Sequence, residues 1–99
     1  MERKLKSLLS NEPVCYICGT PYNLHRHHVI YGSGRRQLSE KYGLWVYLCG
    51  DHHNLSPYGV HNDRELDTRL KQEAQTAWEA KYGTREDFIR IFGRSWMED

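Results

Sequence analysis

Long apolar runs are missing from this 99-residue chain, proline is scarce at three residues, and neither charge dominates. Without an unbroken apolar stretch of about 18 residues, no membrane-spanning helix is expected. Residues 1–13 carry Arg3, Lys4 and Lys6 but not the apolar stretch of a secretory signal, which points to a cytoplasmic protein. The 14 Lys+Arg and 13 Asp+Glu leave a formal charge of +1, which excludes a polybasic coat. Attraction for a polyanion would have to come from a local patch or a bound metal. Three cysteines cannot close a complete disulfide set, and a reducing compartment disfavours one, so Cys15, Cys18 and Cys49 read as metal ligands or free thiols. Apolar residues make up 38% of the chain, enough for one small domain and no second core. A domain of this size buries only about 60 to 68% of the surface its unfolded chain exposes, so it needs a staple.

What the sequence does contain divides it into three parts. Residues 1–13 hold Leu5, Leu8 and Leu9 at helical spacing before Pro13, which predicts a short helix or an arm. Val14 to Gly19 reads as a tight knuckle, with Gly19 where positive φ is needed. A first strand is expected over residues 24–31, ended by Gly32, Ser33 and Gly34, and a second over residues 44–48. Between them, residues 34–43 are polar and basic and read as a loop, with room for a helical turn over residues 39–42. Asp51 can cap a short helix carrying His52 and His53. A long helix is predicted from Asn62 or Asp63 to Tyr82, on the period of Leu66, Leu70, Ala74, Ala77 and Trp78, with Gly83 as its stop. A last helix starts at a capping box of Thr84 and Asp87, turns Phe88, Ile89, Ile91 and Phe92 inward, and ends at Gly93. The predicted fold class is α+β in a single domain over residues 1–99, with the core in 14–61 and a helical extension in 62–99.

The chemistry is concentrated in cysteines and histidines. Cys15 and Cys18 form CxxC, and Cys49 and His52 form CxxH. Each half puts two ligands on one turn of chain, and the halves can close a tetrahedral zinc site once the strands fold back. Soft thiolates select zinc over hard cations. His25 is the rival of His52 for the fourth position. A second group comprises His25, His27 and His28 on the first strand, with His53 and His61 downstream. Neighbours in a strand point to opposite faces, so His27 and His28 should do different work: one as a metal ligand, the other as a general base titrating near working pH.

The stretches LHRHHVI at 24–30 and YLCGDHHN at 47–54 resemble the HNH, or ββα-metal, endonuclease family, in particular its zinc-knuckle members and the small versions found in prophages. The likeness spans residues 14–61. It implies a zinc-stapled ββα-metal core with C-terminal helices and a metal-dependent DNA endonuclease encoded by a phage or prophage. In that reading His27 and His53 hold the catalytic divalent cation and His28 activates water. The cation would be Mg²⁺ or Mn²⁺, with Zn²⁺ or Ni²⁺ also compatible with histidine ligands. The further ligand expected on the metal-binding helix falls at Pro57, which leaves His61 as a substitute. The family's middle asparagine falls at Gly43 and Leu44, and Asn54 is the nearest asparagine. Arg26, Arg35, Arg36 and Lys41 lie beside or between these stretches and are candidates for contacts to the phosphodiester backbone. Cutting both strands in one encounter would take a dimer, since each copy carries one such cation. The alternative is a zinc-binding module that recognises DNA or a protein without cutting, its extra histidines being structural.

Overall fold

The computed structural model of the protein describes residues 6–31, 34–53, 59–60 and 63–97. Within them run two strands, β1 (Leu24–His28) and β2 (Trp45–Cys49), and the helices α1 (Arg35–Tyr42), α2 (Gly50–His53), α3 (Arg64–Lys81) and α4 (Arg85–Phe92). The architecture is α+β. The strands pair antiparallel with Leu24 opposite Cys49, His27 opposite Val46 and His28 opposite Trp45. One more bond, from Val29 N–H to the Leu44 carbonyl at 2.9 Å, extends the ribbon past the end of β1. The strand predicted over residues 24–31 is therefore shorter, because Val29 and Ile30 turn into the core.

The polar stretch predicted as a loop with a helical turn over residues 39–42 is helical over a longer span, the two-turn helix α1. Its ends are set by Gly34 and Gly43, both in the left-handed region at φ 78° and 73°. Leu38 and Tyr42 pack against the core, and Ser39 is fully buried against the Ile30 backbone. Tertiary packing of these three residues completes a helix whose composition is otherwise that of an exposed segment. Residues 6–13 form bends and not a helix. The Ser7 hydroxyl accepts from the amides of Leu9 and Ser10 and donates to the Trp45 carbonyl, while Leu8 N–H bonds the Gly43 carbonyl at 2.8 Å. A serine that satisfies the local amides in this way competes directly with helix formation.

The C-terminal helices follow their sequence signals closely. Asp63 caps α3 by accepting from Leu66 N–H, and Thr84 and Asp87 form a reciprocal capping box on α4. Gly93 ends α4 at φ 95°. Gly83 is not a left-handed stop: α3 ends at Lys81 with Tyr82 as its C-cap, and what Gly83 supplies is room, since a Cβ there would press on the Asp87 carboxylate and the Trp78 ring. Leu70, Ala74 and Trp78 of α3 join Phe88 and Phe92 of α4, and with Val29, Ile30, Leu44, Val46 and Leu48 they form one core. Ile89, placed by its period on the inner face, is 40% exposed. Among the described residues, no helix is long and apolar enough to cross a membrane.

Candidate functional site

The knuckle is built by its own backbone. Gly19 N–H bonds the Cys15 carbonyl, Cys15 N–H bonds the Thr20 carbonyl, and Gly19 turns the chain at φ 80°. Tyr16 N–H reaches the Tyr47 carbonyl at 2.8 Å, which docks the knuckle onto β2. That strand runs straight into α2, so Cys49 ends a strand and His52 projects from the helical turn that follows.

These two turns bring Cys15, Cys18, Cys49 and His52 together, with one ligand atom from each lying within 4.8 Å of all the others. The Cys18 and Cys49 sulfurs are 3.8 Å apart, and His52 Nδ1 lies 3.2 Å from Cys49 Sγ and 3.8 Å from Cys15 Sγ. Two sulfurs each 2.3 Å from a shared tetrahedral centre would be about 3.8 Å apart, so the spacing and the Cys₃His donor set both fit zinc. Burial, the strongest single influence, pushes the Cys15 thiol up, but the backbone amides of Cys18, Cys49 and Ile17 together outweigh it and bring it down to about 6. Burial dominates at Cys49 and raises its thiol. One thiolate is thus prepared by the backbone, and a bound cation would favour the remaining ones.

The histidines of β1 divide between two faces. His25 and His27 point toward α2, where the His53 ring stands 5.1 Å from His25 and 5.3 Å from His27, centre to centre. His25, the rival for the fourth zinc position, is engaged here instead, its Nδ1 2.9 Å from that of His53. Two nitrogens at that spacing, each 2.1 Å from a common ion, would subtend about 90° at it, the angle of neighbouring ligands in octahedral geometry. His27 is buried and packs near Tyr31 as well. This three-imidazole group is looser than the Cys₃His set, which alone among the described residues brings three or more such ligands within 4.8 Å.

His28 points the other way. Its Nε2 lies 2.6 Å from Glu40 Oε2, and the second Glu40 oxygen bonds the Arg26 guanidinium. Arg26 also lies over the Trp45 ring at 3.9 Å. Arg26, His28, Arg36, Gln37 and Glu40 line an open concavity of about 480 Å³. Of the four candidate backbone-binding cations, Arg26 and Arg36 meet His28 there. Arg35 is spent elsewhere: its Nε donates to the Phe92 carbonyl at 2.7 Å and caps α4. Lys41 lies near the Tyr42 ring, 5.4 Å from its centre. Asn54 and His61 fall outside the described residues. Glu40 and Ser39 are the residues that sequence reasoning missed: both lie in the helical turn expected over residues 39–42, but their partners, His28 and Ile30, lie on another element.

The chain matches no family model, no curated protein and no solved structure.

Proposed function

We propose that the protein is a metal-dependent DNA endonuclease of the HNH, or ββα-metal, type, folded around a structural zinc. The observation that carries this reading is the packing of His53 against His25 and His27, beside but separate from the Cys₃His set. An all-imidazole group suits a borderline cation such as Zn²⁺ or Ni²⁺ better than Mg²⁺. A divalent cation at such a seat would offset charge developing on the scissile phosphate and the leaving oxygen.

The rest of the chemistry belongs to the chain. His28 hangs from the last residue of β1, one peptide from His27, so a phosphodiester laid across the end of the ribbon can meet both faces. Arg26 and Arg36 line the same concavity as His28 and would hold the nonbridging phosphate oxygens, positioning the backbone without reading its sequence. His28 would take the proton of the attacking water, and such help is typically worth about 10² to 10⁴ in rate. Trp45 is 4% exposed and lies beneath the Arg26 guanidinium, so its ring is not open for stacking on a base.

The test is nicking of supercoiled plasmid in the presence of Mg²⁺, Mn²⁺ or Ni²⁺. Wild type should cut with at least one of them, and His28→Ala should not, with zinc content and circular dichroism unchanged. Equal cutting by the two proteins would overturn the assignment. No cutting by zinc-loaded wild type with any cation would leave the recognition module as the better description.

A further inference from the structure

We propose that Glu40 is the positioning residue for His28, fixing its ring so that Nδ1 is the nitrogen that accepts the proton. The inference rests on the reading of His28 as the base, and it begins from the chemistry of the contact. An ionised carboxylate can only accept, so the His28 nitrogen 2.6 Å from Glu40 Oε2 must carry the hydrogen. That nitrogen is Nε2, and in the neutral ring the lone pair then sits on Nδ1. A hydrogen-bonded carboxylate also stabilises the cation that forms when the other nitrogen takes a proton, the logic by which a buried aspartate supports the histidine of a serine protease.

The geometry gives Glu40 a second duty. Its other oxygen bonds Arg26, which lies against Trp45, so one carboxylate ties the base and a phosphate-binding cation into a single unit. The unit is anchored from behind. Ser39, the residue before Glu40, donates to the Ile30 carbonyl at 2.6 Å and accepts from Ile30 N–H at 3.1 Å, which locks α1 in register against the end of β1. Glu40 itself is 47% exposed, so replacing it removes the contact without opening the core.

The test uses zinc-loaded, ¹⁵N-labelled protein and compares wild type, Glu40→Ala and Glu40→Gln. Wild type should show a downfield, slowly exchanging imidazole N–H proton on His28 Nε2. Glu40→Ala should lose that resonance and lose about 10- to 100-fold in kcat for plasmid nicking. Glu40→Gln, whose amide oxygen can still accept from Nε2–H, should recover much of both. A His28 resonance identical in wild type and Glu40→Ala would overturn the proposal, as would a loss confined to KM, which would make Glu40 a holder of Arg26 alone. If wild type cuts no DNA, the nuclease reading fails on its own, and the resonance still decides whether Glu40 holds the ring.

Discussion

Ser39 holds Ile30 from both sides, giving a hydrogen bond to its carbonyl and taking one from its amide, with all of these atoms buried. The pair joins the first turn after β1 to the middle of α1, and it is the contact that places Glu40 opposite His28. Ser39→Ala should leave two buried backbone groups of Ile30 unsatisfied and cost about 1 to 3 kcal/mol. Urea denaturation of the zinc-loaded protein measures it, and the midpoint should fall with little change in slope.

Removing zinc should unfold the chain. Structural zinc in small domains contributes about 10 to 16 kcal/mol of apparent folding free energy, as much as or more than a domain of this size possesses in total. Addition of a strong chelator should abolish the helical circular dichroism, and excess zinc should restore it. Cys49→Ser should stay unfolded with or without zinc, because Cys49 joins β2 to the knuckle and to α2 at once.

The Cys₃His cluster was legible because each pair sits on one turn of chain, so the spacing of Cys15 and Cys18, and of Cys49 and His52, already carried the geometry. The two strands and the capping box at Thr84 were legible for the same local reason, and the start of α3 was placed at Asn62 or Asp63, of which Asp63 is the cap. The split between His27 and His28 followed from strand alternation alone, which also sends His25 to the face of His27. What escaped depends on contacts distant in sequence. Helix α1 reaches its full length because Leu38, Ser39 and Tyr42 find buried partners on other elements, where the local sequence suggested only a turn over residues 39–42. Arg35 looked like a cation for phosphate, yet its partner is the carbonyl of Phe92 at the far end of the chain. Glu40 carried no signal at all until the helix was present to aim it.

Separation of the two seats should appear in binding. His53→Ala should keep one zinc per chain, since His52 and the three cysteines are untouched. Its affinity for Ni²⁺ or Mn²⁺ should fall by at least tenfold, about 1.4 kcal/mol. Calorimetric titration of zinc-loaded protein reads this directly.

The last helix should show a specific acid dependence. The Thr84 backbone amide, then the Arg90 guanidinium and the Thr84 hydroxyl, hold the Asp87 carboxyl below its ordinary value of 3.8. As pH falls the unfolded chain therefore takes up this proton first, so the stabilisation is present above the ordinary value and is lost as pH drops through the lowered one. Melting temperatures of wild type and Asp87→Asn should differ near neutrality and converge in acid. Thr84→Ala should cost about 0.5 to 2 kcal/mol at neutral pH through loss of the cap.

The central claim is that one scaffold carries two chemically distinct cation seats, a sulfur-lined one that folds the chain and an imidazole-lined one that reacts. Anomalous diffraction from zinc-grown crystals soaked in Mn²⁺ or Ni²⁺ tests it most directly. The account predicts a zinc peak among Cys15, Cys18, Cys49 and His52 and a separate peak of the soaked ion against His53 and the histidines of β1. A zinc peak with no second ion at those imidazoles, at soak concentrations that support cleavage, would contradict it.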